Sequence, residues 1–279
     1  MSGEGFREES DLLGTRMVPK DAYWGIQTLR AQENFDVSRV NLSKYSTLIQ
    51  SLAMVKKACA LANDHLGHYK PKFGKAIIQA CNEIADGALE DQFVVDMLQG
   101  GAGTSTNMCM NEVIASRANE ILGEERNSMS PISANDDVNK SQSTNDVYPT
   151  SIKIATIFSL RDLKTCLTNL VEALDEKATE FKDLLKLGRT EMQDAVPITL
   201  GQEFSAWSGA LRRDLNRIES IKAVLKTHNL GATAIGTSLN ADPEYIELAE
   251  KYLREVTGIE ELVTADNLID DTSNADEFV

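Results

Sequence analysis

The sequence predicts an all-α protein, and three observations carry this prediction. Apolar residues recur at steps of three and four over long stretches, a spacing that places side chains on one face of a helix. Residues that commonly start or stop helices flank these stretches. Segments with the alternating pattern of a strand are few. The expected architecture is an N-terminal, mostly helical domain followed by the first long helices of a central helical bundle.

The first predicted helices lie between residues 45 and 84. One apolar face recurs at steps of three and four and consists of Tyr45, Leu48, Leu52, Val55, Cys59 and Ala62. Pro71 suits the first turn of the next helix, where its missing N–H costs nothing. That helix is expected to continue through Ile77, Ile78 and Ile84.

Two much longer helices are predicted in the second half of the chain. The first has apolar residues at helical spacing from Leu160 to Leu185 and is expected to stop at Gly188. The second is expected to start at Asp194 as N-cap, with Pro197 in its first turn, and to reach about His228. Their apolar faces are too wide for a lone helical hairpin to bury. We therefore expect a multi-helix bundle completed by chain beyond residue 279, by other subunits, or by both.

Composition excludes several classes of function. The formal charge of −15 opposes binding to nucleic acid or to an anionic membrane. The N-terminus has no apolar signal core, and no stretch is apolar enough to cross a bilayer. The four cysteines lie far apart, which favours buried, reduced thiols over disulfides or a zinc site. We expect a soluble cytoplasmic protein with no bound metal.

Three polar, glycine-bearing segments interrupt or open the helical stretches: residues 100–107, 140–146 and 188–194. They are rich in hydroxyl, amide and backbone N–H donors, which can hold a carboxylate without a full positive charge. None contains a histidine, which argues against a Ser-His-Asp triad. The first lacks the Gly-Lys-Ser/Thr ending of a phosphate loop. Each segment taken alone is compatible with a simple helix cap, but three of them predict an anion site.

Four motifs together resemble the aspartase/fumarase superfamily. They are residues 100–112 (GGAGTSTNMCMNE), 140–150 (KSQSTNDVYPT), 188–204 (GRTEMQDAVPITLGQEF) and 229–240 (NLGATAIGTSLN). The likeness begins at Asp11 and continues in register to the last residue. Within the superfamily it is closest to the ammonia-lyases that act on aspartate. The resemblance implies residues 1–140 as an N-terminal lyase domain and residues 141–279 as a partial central helical-bundle domain, truncated at its C-terminal end.

The resemblance also implies a reaction, without an organic cofactor. L-Aspartate would reversibly lose ammonia to give fumarate, through removal of a C3 proton and an aci-carboxylate stabilised by hydrogen bonds. By motif match, the residues that contact this small-molecule substrate are Thr104, Ser143, Thr144, Asn145 and Thr190. Ser143, Thr144 and Thr190 would donate to its carboxylates, and Asn145 would lie near its amino group.

Two departures from the family pattern stand out. Glu191 follows Gly-Arg-Thr where relatives commonly carry His or Gln, and its carboxylate would either face the substrate ammonium or point into solvent. The family's Gly-Ser-Ser-x-x-Met-Pro-x-Lys-x-Asn loop, which supplies the general-base serine, does not occur in this sequence. The resemblance implies that the chain is cut within the family's middle domain. The resemblance implies a homotetramer whose active sites draw on three subunits, and we expect the 279 residues alone to be inactive.

Two other functions remain open at this stage. Fumarate hydratase is the alternative within the superfamily, but hydratases usually show Ser-Ser-Asn where this chain has Ser143-Thr144-Asn145. The alternative from a different class is a non-catalytic helical scaffold, which the missing serine loop would allow.

Overall fold

A computed structural model describes residues 5–125 and 128–278. Within these residues the helices are α1 (Ile26–Asn34), α2 (Ser46–His65), α3 (Phe73–Ala85), α4 (Thr104–Ile121), α5 (Thr144–Glu180), α6 (Leu200–Val224), α7 (Pro243–Thr257) and α8 (Leu268–Ser273). Helices dominate the structure, as the periodicity predicts. No helix of the described residues is long and apolar enough to cross a membrane.

The described part of the chain also contains three short two-stranded sheets. The strands are β1 (Phe6–Asp11), β2 (Gly14–Pro19), β3 (Leu185–Thr190), β4 (Gln193–Thr199), β5 (Thr227–His228) and β6 (Val263–Thr264). β1 pairs with β2 and β3 with β4 in antiparallel fashion, whereas β5 and β6 are parallel. The chain forms two compact units: the larger consists of Met1–Ala155 and Lys226–Val279, and the smaller of Thr156–Leu225.

The core of the larger unit lies among α2, α3 and α4. Ile49 and Leu52 of α2, Ile77 and Ile84 of α3 and Ile114 of α4 are almost completely buried. Burial of such a side chain stabilises a fold by roughly 1.5–3 kcal/mol. The apolar face predicted for the first helix is confirmed from Leu48 to Ala62, but Tyr45 precedes α2 and is 45% exposed, so its inclusion in that face is wrong. Pro71 lies just before α3 and not inside it.

The N-terminus of α1 is capped by a side chain from another helix. Gly25 at its N-cap offers no side chain, and Glu112 of α4 takes that role. The Glu112 carboxylate accepts hydrogen bonds from the backbone N–H groups of Gly25 (2.8 Å), Gln27 (2.8 Å) and Thr28 (3.1 Å), and from the Thr28 hydroxyl (2.7 Å). Burial raises the pKa of Glu112 above its ordinary value. Four donors therefore depend on one buried carboxyl group.

A second buried carboxylate, Asp96, holds a loop without regular structure. It accepts the Ser38 hydroxyl at 2.6 Å and the N–H groups of Ser38 and Arg39, each at 2.8 Å. The N–H of Leu98 adds a further bond at 2.7 Å. The Ser38 hydroxyl and these N–H groups lower the pKa of Asp96 to about 2. The ionised side chain thus joins residues 37–39 to residues 96–98.

Replacement of Asp96 by asparagine should destabilise the protein in a pH-dependent way. Because the folded pKa of about 2 lies below the ordinary 3.8, the ionised form stabilises the fold at neutral pH, and this contribution is lost as pH falls from 3.8 toward 2. The gap in Tm between wild type and Asp96→Asn should therefore narrow over that interval. Thermal melts across pH test this, with exposed Asp91→Asn as control. A gap that stays constant with pH would contradict the assignment.

The smaller unit contains the rest of α5, the β3–β4 hairpin and α6. Within it the two helices run antiparallel, because Asp175 accepts the Ser208 hydroxyl at 2.6 Å and Lys164 pairs with Glu219 at 2.8 Å. The predicted pair of long antiparallel helices is confirmed. The ends of the helices are not where the sequence pattern places them.

The predicted helix ends around residues 181–199 are wrong, because this stretch forms the β3–β4 hairpin. α5 ends at Glu180, so Gly188 lies inside β3 and does not stop the helix. Asp194 and Pro197 belong to β4. The N-cap of α6 is Thr199, which forms a reciprocal capping box with Gln202. At its other end α6 stops at Val224, short of His228.

Three of the four cysteines are buried as expected, and one is not. Cys59, Cys81 and Cys109 are buried free thiols, and burial raises the pKa of each to about 12. Such thiols stay protonated and unreactive at neutral pH. Cys166 lies on the exposed side of α5, so the expectation of burial is wrong for this residue.

Candidate active site

The first polar segment turns into α4 through a glycine in the left-handed region. Gly103 is the N-cap of α4 and has φ +91°. A Cβ atom built on it would lie 2.3 Å from Cδ1 of Tyr148, which belongs to α5. A side chain at this position would meet both an unfavourable backbone conformation and an aromatic ring. The close approach of Gly103 to Tyr148 joins the start of α4 to the first turns of α5.

Thr104, which the motif match predicts to contact the substrate, is the first residue of α4. Its hydroxyl donates to the Gly101 carbonyl at 2.6 Å, and the side chain is exposed. In this arrangement its proton is used by the protein, so Thr104 can receive a hydrogen bond from a ligand but must rotate to donate one.

Ser143 and Thr144 lie at the N-terminus of α5 with their hydroxyl oxygens engaged as acceptors. Ser143 Oγ accepts the backbone N–H of Asn145 at 3.2 Å, and Thr144 Oγ1 accepts from Asn107 Nδ2 at 3.1 Å. A hydroxyl whose oxygen already accepts a hydrogen bond can still donate its own proton. Both residues can therefore donate to an anion at a helix N-terminus, where the helix dipole favours negative charge.

Asn145, the next residue, uses its side chain within the protein. Its Nδ2 donates to the carbonyl of Ala234 at 2.7 Å, and Asn229 Nδ2 donates to the Asn145 carbonyl at 2.9 Å. These bonds tie the start of α5 to the fourth motif, residues 229–240. The structure thus brings the second and fourth motifs together.

A buried lysine lies beneath the second polar segment. Lys56 Nζ donates to Asn139 Oδ1 at 3.0 Å and to Gln142 Oε1 at 2.8 Å. Burial lowers the pKa of Lys56 to about 8. Asn107 also donates to Asn139 Oδ1, at 3.2 Å, so that Lys56 and Thr144 are connected through two amides. Sequence reasoning missed Lys56, although its position four residues after Leu52 and three before Cys59 places it on the apolar face of α2.

Asp146 is the second buried charged residue that sequence reasoning missed. Its Oδ1 accepts the N–H of Ser143 and its Oδ2 accepts the N–H of Thr233, each at 3.0 Å. Burial raises the pKa of Asp146 to about 7, while these N–H groups and the charge of Lys56 act in the opposite direction. One carboxylate thus bonds to both walls of the neighbouring cleft.

Two clefts open beside these residues in the larger unit. One, of about 420 Å³, is lined by Ser141, Gln142 and Ser143 on one side and by residues of the fourth motif, including Thr233, Ile235 and Thr237, on the other. The second, of about 380 Å³, is lined by Asn145, Tyr148 and Ile152 together with residues near α8. Either volume is in the range of small-molecule sites.

Thr190 and Glu191 belong to the smaller unit, at the tip of the β3–β4 hairpin. Both are exposed, and Glu191 and Met192 have φ of +49° and +62°. Positive φ at both central residues is the signature of a type I′ turn. The third polar segment therefore forms a hairpin and does not open a helix. A role for Thr190 and Glu191 in substrate binding stays a prediction.

Comparison with known proteins places these features in a lyase family. The family described as lyase matches residues 14–279. An aspartate ammonia-lyase of Bacillus subtilis is 48% identical over 273 residues, which are 98% of this chain and 57% of the relative. The crystal structure of a fumarate lyase:delta crystallin from Brucella melitensis superposes with TM-score 0.91 and 51% identity, covering 96% of this chain and 58% of that one. A class II fumarase from Schistosoma mansoni follows with TM-score 0.84 and 35% identity, covering 92% and 54%.

The helical fold is shared with these lyases. The chain belongs to the lyase family of the aspartase/fumarase superfamily. It spans about 57% of the length of the curated relatives it matches.

Proposed function

We propose that the protein to which this chain belongs is an aspartate ammonia-lyase, which converts L-aspartate reversibly to fumarate and ammonia. The observation that carries the proposal is the placement of the Ser143 and Thr144 hydroxyls at the N-terminus of α5. Each hydroxyl oxygen accepts one hydrogen bond from the protein, so each proton is available to donate to a ligand. The similarity to ammonia-lyases over nearly the whole chain supports it.

The chemistry needs these donors where negative charge develops. A base removes a C3 proton of aspartate, and the electron pair of that C–H bond is delocalised onto the neighbouring carboxylate. The pair then forms the C2–C3 double bond as the C2–N bond breaks and ammonia leaves. Ser143 and Thr144 donate to the aci-carboxylate, which lowers the barrier. Asn145 binds near the amino group, and Thr104, Thr190 and Glu191 complete the substrate contacts.

The remaining parts of the site come from outside this chain segment. The general-base serine lies in a loop that residues 1–279 do not contain, and the active protein is a cytoplasmic homotetramer whose sites combine three subunits. Exposed apolar side chains on α5 and α6 support association through these helices, among them Leu163, Leu170, Trp207, Ile221 and Val224. Residues 1–279 alone release no ammonia.

An assay on the full-length protein tests the proposal. Fumarate and ammonia should form from L-aspartate at equal rates, and the reverse reaction should consume both. The second candidate is fumarate hydratase, which the structural likeness to a fumarase favours. Faster hydration of fumarate to malate than amination to aspartate would replace the ammonia-lyase by the hydratase, and absence of both reactions would favour the non-catalytic scaffold.

Replacement of Thr144 by alanine in the full-length protein should lower kcat/KM for aspartate by about two orders of magnitude, because a donor to the developing charge is lost. The matched control is Thr165→Ala, an exposed threonine further along α5 whose hydroxyl donates to the Arg161 carbonyl of its own helix. Steady-state kinetics at a temperature where both variants are folded make the comparison. A Thr144→Ala enzyme within two-fold of wild type would remove Thr144 from the site.

A further inference from the structure

Asp146 is a buried carboxylate whose two oxygens serve two different segments of the chain. Oδ1 accepts the N–H of Ser143, three residues earlier, and Oδ2 accepts the N–H of Thr233, 87 residues later. The first bond is an ordinary helix cap, since it satisfies a backbone donor at the start of α5. The second bond has no part in capping.

Capping alone does not explain why Asp146 is buried. In the same protein, Asp242 caps α7 by accepting the N–H of Glu244 at 2.9 Å, and that bond is exposed to solvent. A carboxylate removed from water is costly unless its oxygens are hydrogen-bonded. At Asp146 both oxygens are used, and each is used by a donor from a different wall of the 420 Å³ cleft.

The chemistry of the two partners requires a carboxylate. Both are backbone N–H groups, so both need an acceptor. The two N–H groups bond to different oxygens of Asp146, and an asparagine in the same position would replace one of these oxygens by an NH₂ group, which accepts no hydrogen bond. The local bond to Ser143 would be kept more easily than the long-range bond to Thr233.

Thr233 is the residue whose backbone most needs this support. Its φ of +59° lies in the left-handed region, which a β-branched residue seldom adopts. It starts the stretch in which Ala234 receives the Asn145 side chain and Ile235 faces the same cleft as Ser143. The Asp146 bond therefore holds this wall opposite the predicted carboxylate donors.

We propose that Asp146 is a positioning residue of the active site, which sets the separation between the Ser143 hydroxyl and the cleft wall formed by residues 233–240. The inference rests on the proposed function for its catalytic consequence, and on geometry alone for its structural one. Asp146 touches no reacting atom in this role. It acts through Ser143 and Thr233.

The structural part of the proposal is that the bond from the Thr233 N–H to Asp146 holds the cleft wall. Amide hydrogen exchange on the full-length wild-type protein tests this without any substrate. The Thr233 N–H should exchange at least about a hundred-fold more slowly than in an unstructured peptide, although it lies outside helices and strands. In Asp146→Asn the Thr233 N–H should exchange at least ten-fold faster than in wild type, while the Ser143 N–H changes less. An unprotected Thr233 N–H in wild type would overturn the proposal even if the variant failed to fold.

Steady-state kinetics test the catalytic consequence of the proposal. The substrate is aspartate or malate, according to which of them the wild type converts. Asp146→Asn should lower kcat/KM by about ten-fold or more at temperatures well below its own Tm, and the control Asp136→Asn, an exposed acid, should not. A merely structural role would lower Tm and leave kcat/KM of the folded enzyme within two-fold of wild type, which would overturn the proposal. A wild type that converts malate and not aspartate would refute the ammonia-lyase assignment. The role of Asp146 would then be decided by kcat/KM for malate in the same two variants.

Discussion

Replacement of Gly103 by alanine should lower the free energy of unfolding by about 3 kcal/mol or more. An alanine in the left-handed region costs about 1–2 kcal/mol through its Cβ alone. At Gly103 the new Cβ would also lie within 2.5 Å of the Tyr148 ring, and overpacking of this kind costs about 1–3 kcal/mol more. Denaturant unfolding followed by circular dichroism measures the total loss of unfolding free energy from both causes.

The chain provides a matched control for this substitution. Gly123, just after α4, has φ +93° against +91° at Gly103, but a Cβ there meets no atom of residues 5–125 and 128–278 within 4 Å, its own chain neighbours aside. Gly123→Ala should show only the backbone cost, and the difference between the two variants isolates the clash with Tyr148. In a double-mutant cycle, Tyr148→Ala should recover part of the loss from Gly103→Ala. Equal destabilisation by the two glycine variants would show that Tyr148 yields without cost.

Replacement of Glu112 by leucine should be similarly damaging. Leucine fills much of the same volume but accepts no hydrogen bond, so three backbone N–H groups and the Thr28 hydroxyl lose their acceptor. A buried donor without a partner costs about 1–3 kcal/mol, and we expect a total of at least about 3 kcal/mol because four donors are affected. Glu112→Gln keeps one oxygen as an acceptor, so its free energy of unfolding should lie between those of Glu112→Leu and wild type.

Trp24 offers a local readout of this change. It is 8% exposed and directly precedes Gly25, whereas the other tryptophan, Trp207, is already 48% exposed. A red shift of tryptophan emission before global unfolding would show that α1 has detached. Glu33 of α1 forms an exposed ion pair with Arg16 of β2, and Glu33→Gln is the control that should change stability little. Equal stability of Glu112→Leu and wild type would mean that water or other side chains satisfy the four donors.

Sequence reasoning identifies helices well where apolar periodicity is long, and fails where a turn lacks its usual residues. α2 and the pairing of α5 with α6 follow directly from steps of three and four. The β3–β4 hairpin was missed because its tight turn contains Glu191 and Met192 in place of the asparagine or glycine that such turns favour. Leu185 also continues the helical spacing from Phe181 by chance, which concealed the end of α5.

The candidate site was predicted only in part, for a physical reason. Ser143, Thr144 and Asn145 are found by motif because hydroxyl and amide residues cluster along the chain. Lys56 and Asp146 were missed because a charged residue in a sequence is ordinarily at the surface, and its burial depends on partners from distant segments. Such partners become visible only when the fold brings them together.

The cap that Glu112 provides for α1 also bears on the order in which the chain can fold. α1 has nine residues, too few to be stable alone in water, and its N-cap is a glycine that offers no side chain. During synthesis, residues 26–34 leave the ribosome long before residue 112 does. The Ile26 N–H finds its acceptor in Glu9, which is made before α1. The N–H groups of Gly25, Gln27 and Thr28 gain theirs only after α4 has emerged and packed, so the start of α1 is completed by a segment made much later than the helix itself.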